Sequence, residues 1–497
     1  MDNLTPYLRG AQYDFTAVSA LNSESRVALP GQMFPAPVWA AVGMMGAVVI
    51  TVAASFSPTA ALAATLAIAA VVAVAARPAL LPPILVVSIF AELVQVEGAT
   101  ISRVLAPIAL FVVLVQLIRG KASIRPATPL FWAAAYGLWA LASGLWTTST
   151  AGTVFQLSSL SIAVVYMLAF ASLIESRRDL ERVVWVISIS ALVFGLLSSE
   201  RLSEALGLGQ VTLEGSRAQG ALGDANAFAA TELFALPLII ALAGQVRNRW
   251  LQLGLYATLF VVIASILKSL SRGGLVGLVV LLALLAVVPA RIVFRTRRNK
   301  AIALLVVAFG MAALSVRYAA PLSRRVQETF NPADQGASTG SGRTYLWSAA
   351  WTSVEERPWL GLGYGGFRPA SNQLLLSTPG VDLEVYRLKS RGQPVHNTYL
   401  GSIAELGILG LILFLGVLVS TAETLRRAAR RGREVGAFFA SSMAGALLLA
   451  LVAWAVISIF LSAETARAFW IVVGIALALP KVIASEATSS EREPGIT

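Results

Sequence analysis

The chain has 497 residues, 57% hydrophobic and 13% charged, with a mean hydropathy of +0.76. Soluble domains carry about a quarter charged residues, so an ordinary soluble enzyme is excluded. The net charge is +12, there is no cysteine, and His396 is the single histidine, so disulfides, thiolate chemistry and His-rich metal sites are excluded too.

A helix that crosses a bilayer takes about 20 mostly apolar residues. Fourteen segments approach this pattern, near 39–56, 59–76, 79–95, 101–118, 128–146, 153–174, 183–199, 226–245, 250–267, 273–290, 301–316, 398–420, 436–458 and 466–484. The third holds Pro82, Pro83 and Glu92, so the expectation is an all-α polytopic membrane protein with twelve to fourteen spans. The polar stretch 1–38 lacks a short apolar core with a cleavage site, which predicts a cytoplasmic tail followed by an uncleaved anchor. The membrane domain is expected over 39–484 and a second cytoplasmic tail over 485–497.

Cytoplasmic loops collect Lys and Arg. With the N-terminus inside, the inside loops and tails hold 23 of the 38 basic residues. The short outside loops hold six: Arg103, Arg201, Arg217, Lys268, Arg272 and Arg467. The other nine lie in 317–397, predicted to be one long extracytoplasmic loop carrying part of the active site. Much of the +12 is therefore a topology signal, and it argues against nucleic acid as a partner. Within the loop, Arg343 to Glu356 is predicted helical, with Trp347, Trp351 and Val354 on one face and Pro358 as its stop. This helix is expected to lie along the outer membrane surface, where Trp is favoured.

Ionisable residues in or at the edge of a membrane are costly and are candidates for function. Four elements gather on the predicted outer side. The first is Gly215-Ser216-Arg217 through Gly220 to Asp224-Ala225-Asn226. The second is Ser271-Arg272-Gly273-Gly274, and the third is Gly342-Arg343 with Trp347. The fourth is Pro394-Val395-His396-Asn397-Thr398-Tyr399-Leu400, with Glu405 following.

Each piece has a plain structural reading. Asp224 or Asn226 serves as an N-cap, Arg272 as a snorkelling anchor, Arg217 and Arg343 as solvated loop charges, and His396 as a polar helix start. Glu232 and Glu405 serve as paired carboxylates inside spans.

Together the elements predict an anion site. Arginine forks bind phosphate oxygens bidentately and keep their charge. A helix opening at Arg272 adds its positive end, and the glycines let a ligand approach the backbone. A lone histidine at the same edge can take a proton near neutral pH.

The stretch Gly361-Leu362-Gly363-Tyr364-Gly365-Gly366 matches G-x-G-x-x-G. That motif needs a strand before it and a helix after it. Here it follows Pro358 in a loop, so a tight glycine turn is expected. No Walker lysine motif is present, which argues against direct use of ATP.

The ordered motifs resemble the O-antigen ligase and polymerase family of membrane glycosyltransferases. The resemblance runs over about 128–470, strongest over 212–420. It rests on Arg217 with Gly220 and Asn226, on Ser271-Arg272-Gly273, and on Gly342-Arg343 with Trp347. It continues through Pro358-Trp359-Leu360-Gly361-Leu362-Gly363-Tyr364-Gly365, His396-Asn397-Thr398-Tyr399-Leu400 and Glu405-Leu406-Gly407-Ile408-Leu409-Gly410.

The resemblance implies a glycan donor on undecaprenyl pyrophosphate, a lipid or glycan hydroxyl acceptor, and the outer face of a bacterial inner membrane. It implies no nucleotide, cofactor or metal, and other polysaccharide-assembly proteins as partners. It casts Arg217 and Arg272 as pyrophosphate ligands and His396 as the group that activates or orients the acceptor. Arg343, Asn226, Ser271, Gly273, Asn397, Tyr399 and Glu405 become substrate-binding candidates. The family often has Asn-Pro-Asn where this chain has Asp224-Ala225-Asn226, which leaves the role of Asp224 open.

A transporter or flippase for lipid-linked glycans is the rival reading. Charges within spans fit it, but no internal repeat stands out and the candidates cluster at one face. A purely structural assembly role leaves the arginine and histidine cluster without a purpose.

Overall fold

The computed structural model describes residues 77–92, 95–96, 99–208, 213–214, 217–294, 296–330, 340–379 and 392–492. The predicted tail 1–38 and the first two predicted spans lie outside these residues. The described chain is helical apart from two short antiparallel hairpins.

In chain order the helices are α1 (Leu81–Phe90), α2 (Ile101–Ile118), α3 (Thr128–Ala142), α4 (Thr150–Leu173), α5 (Arg177–Leu197) and α6 (Glu200–Ala205). Then come α7 (Ala225–Gln245), α8 (Arg249–Lys268), α9 (Arg272–Val287), α10 (Ala290–Val293) and α11 (Arg297–Phe330). The last are α12 (Gly340–Glu356), α13 (Phe367–Ser377), α14 (Thr398–Glu434), α15 (Phe438–Ile457) and α16 (Arg467–Arg492). Hairpin β1 (Gln95–Val96) with β2 (Ala99–Thr100) precedes α2; β3 (Leu213–Glu214) with β4 (Arg217–Ala218) precedes α7.

Among the described residues, eight helices are long and apolar enough to cross a membrane: α2, α4, α5, α7, α8, α14, α15 with its following turn, and α16 up to Ser489. The chain is an all-α integral membrane protein. Helix α7 lies at the centre: 89% of its apolar stretch is buried, against 33% for α2. Its sequence is accordingly apolar all round rather than on one stripe. It packs on α15, α8, α5 and α9, while α16 packs on α4 and α14 on α3 and α15.

Side chains fix the helix starts, as the sequence encodes. Ser149 caps α4, Ser176 and Asp179 form a capping box on α5, and Asn248 caps α8. Each accepts first-turn N–H groups that have no partner within the helix.

Four expectations need correction. The segment 79–95 is not helical throughout. A 3-10 turn (Pro78–Leu80) leads into α1, whose first turn accepts Pro82 and Pro83 because those N–H groups are unpaired anyway. The helix stops at Phe90, so Glu92 lies beyond it.

The segment 301–316 extends through Pro321 to Phe330, so the predicted loop starts with helix. Helix α13, also inside that loop, has no counterpart in the prediction. Finally, 398–420 grew into the 37-residue α14, interrupted at Gly407, whose φ of 69° and ψ of −174° are not helical.

Helix α12 forms where predicted and ends before Pro358. Its buried face is different, however. Leu346, Ala349, Ala350 and Val354 pack against Phe367, Leu375 and Ala404, while Trp351 is 54% exposed.

Candidate functional site

The break in α14 holds the glycine turn. Residues 358–366 run alongside Gly407, where Ile408 N–H donates to Pro358 O (2.9 Å) and Leu362 N–H to Ala404 O (3.0 Å). A Cβ on Gly407 would lie 2.0 Å from Trp359 O, and one on Gly361 2.5 Å from the Glu405 backbone. Gly361, Gly363 and Gly365 all have positive φ. Indole N–H groups tie down both edges, Trp139 to Leu406 O and Trp146 to Leu360 O, each at 2.9 Å. The G-x-G-x-x-G match is thus a packed turn, as its context predicts.

Glu405 sits at the same break. Its carboxylate accepts the Gly365 N–H (2.8 Å) and the Phe367 N–H (3.2 Å), at the start of α13. An anion at a helix N-terminus is favoured there. The structure gives Glu405 this structural task.

The turn 268–272 joins α8 to α9. Leu270 has φ 49°, outside the preferred region for an L-residue. Ser271 Oγ accepts the Gly274 N–H at 3.1 Å and so caps α9. Arg217, on β4, donates its Nε to Ser269 O at 2.9 Å. This bond brings the Arg217 strand to within three residues of Arg272, which opens α9 half-buried.

Gly273 and Gly274 do not line an open approach. A Cβ on Gly273 would lie 3.0 Å from the Phe460 Cβ, and one on Gly274 2.7 Å from the Ala229 Cβ. Their missing side chains let α9 pack on α7 and α15. Asp224 Oδ1 accepts the Asn226 and Ala227 N–H groups at 2.8 and 2.7 Å, so Asp224 is the N-cap of α7 and Asn226 lies in its first turn.

His396 lies at φ 55°. Its N–H donates to Ser462 Oγ at 3.0 Å. Thr398 locks the same two segments: its Oγ1 donates to Leu461 O (2.6 Å) and accepts the Ala463 N–H (2.9 Å). Asn397 caps α14 through the Tyr399 and Leu400 N–H groups, both at 3.0 Å, and Tyr399 OH donates to Ala455 O at 2.7 Å. Asn397 and Tyr399 therefore hold the His396 turn in place.

Arg343 lies on α12 one turn before Trp347. The Trp347 indole donates to Val395 O at 3.1 Å, next to His396, and its ring lies 6.5 Å from that of Phe460. The four motifs thus close into one neighbourhood. Arg217 bonds the turn before Arg272, Gly273 packs on Phe460, Phe460 meets Trp347, and Trp347 bonds Val395. Among the described residues, Leu270 and His396 are the non-glycines with positive φ, and both lie here. Residues held in sparsely populated backbone regions concentrate at functional sites.

Sequence reasoning missed three features beside this neighbourhood. Arg467 and Glu92 form an ion pair at 2.6 Å, and Ser102 Oγ donates to the same carboxylate oxygen at 2.7 Å. They flank a cavity of about 210 Å³ that reaches Ser462, the partner of His396. Glu464 is buried under that segment, taking the Gln156 amide at 2.6 Å, and burial raises its carboxyl pKa. The sequence shows Glu92, Arg467 and Glu464 only as separate charges, because Arg467 and Glu92, like Glu464 and Gln156, are hundreds of residues apart.

Glu232 is fully buried in α7, with neither oxygen hydrogen-bonded among the described residues. Those residues gather no group of three or more His, Asp or Glu side chains suited to a metal ion. The segments that meet carry Arg217, Arg272, Arg343 and the single histidine.

Residues 257–415 match the family model described as O-antigen ligase. The match runs from α8 past the break in α14 and contains Arg272, Arg343 and His396; Arg217 precedes it. Over this stretch the chain is similar to the O-antigen ligase family. No curated protein matches the chain.

Proposed function

We propose that the protein moves a glycan from an undecaprenyl-pyrophosphate donor to a hydroxyl acceptor at the outer face of a bacterial inner membrane. The family match supports a glycan-transferring membrane enzyme of the O-antigen ligase type. The finer reading rests on one observation: the chain folds so that the Arg217, Arg272, Arg343 and His396 segments meet around Phe460 and Ser462.

In this reading Arg217 and Arg272 hold the pyrophosphate, helped by the positive end of α9. Arg343 supports the donor from α12. The acceptor oxygen attacks the anomeric carbon and forms the new C–O bond. The bond from that carbon to the pyrophosphate oxygen breaks, and its electron pair leaves with the pyrophosphate. His396 takes the acceptor proton. A single displacement inverts the anomeric configuration. Arginine charge stabilises the leaving group where its charge develops, which is the efficient place for it.

The test is replacement of Arg217, Arg272 or His396 by alanine in a deletion strain. Each variant is expected to insert at normal abundance and to lose surface glycan. Near-normal glycan from His396→Ala overturns the proton-accepting role.

Glu232 favours a second reading, transport, because an unpaired carboxyl inside a central helix is a common proton or ion site. Lipid-linked glycan crossing a proteoliposome membrane without any transfer, and abolished by Glu232→Gln, would establish that reading instead.

A further inference from the structure

The ion pair Arg467–Glu92 has no part in the mechanism above, yet it borders a cavity that reaches Ser462, which accepts the His396 N–H. We propose that this cavity is a sugar subsite: it takes one ring of the glycan and holds it beside His396. The inference rests on the glycosyltransfer reading and names what occupies the space next to it.

Size argues first. The cavity of about 210 Å³ equals roughly seven waters at about 30 Å³ each, enough for one sugar ring and too little for a repeat unit. Charge argues second. Arg467 is already neutralised by Glu92 at 2.6 Å, and Ser102 donates to the same oxygen. A phosphate entering here would compete with a carboxylate for the guanidinium and be repelled by it. A neutral polyol meets no such penalty and finds both a donor and an acceptor in the pair.

The walls complete the match. Trp454, Leu461 and Ala463 present an apolar side suited to the C–H face of a ring. Thr231, Ser462 and Thr465 bring hydroxyls to the same space. Ser462 Oγ accepts the His396 N–H, and its own O–H has no partner among the described residues. A ring that bonds Ser462 therefore lies against the His396 turn. Arg467 Nε is buried with no hydrogen bond in the described residues, a cost that a neighbouring hydroxyl or water offsets.

Two variants avoid the proposed catalytic groups. Ala227→Leu places three extra carbons into the cavity from α7, and Thr465→Val removes a hydroxyl at nearly constant size. The ligand probe is the oligosaccharide released by mild acid from the host's lipid-linked pool. It is expected to raise the melting temperature of the detergent-solubilised wild type, to raise that of Thr465→Val less, and to leave Ala227→Leu unmoved.

In transfer assays, Ala227→Leu is expected to raise one KM at least tenfold with kcat within about twofold. A rise in the donor KM assigns the ring to the donor, and a rise in the acceptor KM assigns it to the acceptor. No thermal shift in the wild type, or equal shifts and KM values in a natively melting Ala227→Leu, overturns the subsite. Wild-type binding without transfer would overturn the glycosyltransfer reading and leave the sugar site standing.

Discussion

His396 holds its backbone at φ 55°, a conformation that costs an L-residue about 1–2 kcal/mol and glycine almost nothing. If the imidazole is kept there for chemistry, removing it should relieve strain. His396→Gly is expected to melt at or above the wild-type temperature in detergent while losing glycan transfer. A marked fall in melting temperature would show that the imidazole serves the fold.

Arg217 gives a related test. Lysine keeps the charge but cannot reproduce the Nε bond to Ser269 O together with a planar fork. A charged hydrogen bond is worth about 1.5–3 kcal/mol, so Arg217→Lys should bind donor roughly ten- to a hundredfold more weakly. Donor KM is the measurement.

Glu464 sets a pH dependence. Burial raises its carboxyl pKa, so the folded protein holds that proton more tightly than the unfolded chain does. Its contribution to stability is therefore fully present below the ordinary carboxylate range. It is lost as pH rises from that range through the raised value. Glu464→Gln should flatten this slope in melting curves taken across acid to neutral pH; an unchanged slope assigns the titration elsewhere.

At the scale of elements, the glycine turn and the break in α14 are one device. Gly407→Ala forces a Cβ to 2.0 Å from Trp359 O at a φ that costs roughly 1–3 kcal/mol even without a clash. It should lower both melting temperature and yield of folded protein. Glu405→Gln should also lower the melting temperature, because only one of the amide's two groups can accept the Gly365 and Phe367 N–H bonds. The surviving folded fraction should keep its turnover if the carboxylate serves the break. A loss of turnover at native melting temperature would return Glu405 to the substrate.

The sequence carried the long apolar helices and their caps openly, because bilayer length and cap chemistry are local. The start of α9 at Ser271 and the end of α12 before Pro358 are cases in point. The bend at Gly407 stayed hidden, because an isolated glycine in an apolar run also occurs in straight helices. What made it a break was the turn 358–366 lodged against it, a contact between distant segments. The ends of α1 and α11 were missed similarly, since apolarity continues past Phe90 and fades gradually beyond Val316.

For the site, the sequence supplied Arg217, Arg272, Arg343 and His396 as edge charges, and the fold supplied their neighbourhood. It also gave Asp224, Ser271 and Asn397 a second task, capping helix starts. The pair Glu92 and Arg467 stayed invisible because each alone is an ordinary charge near a span.

At the scale of the whole molecule, the excess of basic residues on one set of loops predicts its orientation. The absence of cysteine makes this directly readable. Ser348→Cys on the exposed side of α12 should react with a membrane-impermeant maleimide on intact spheroplasts. Arg430→Cys near the end of α14 should react only after lysis. The reverse pattern would place the arginine and histidine neighbourhood inside and remove its access to a donor at the outer face.

Transfer from a lipid-linked pyrophosphate by this neighbourhood is best measured with the purified chain. It is reconstituted in liposomes with an undecaprenyl-pyrophosphate-linked glycan and lipid acceptors extracted from the host. The wild type should release undecaprenyl pyrophosphate in step with glycan appearing on the acceptor. Arg272→Ala and His396→Ala should reduce that rate by at least about a hundredfold, the usual scale for losing a positioned proton-transfer group. A wild type that leaves the donor intact, or variants that turn over at the wild-type rate, would contradict the account.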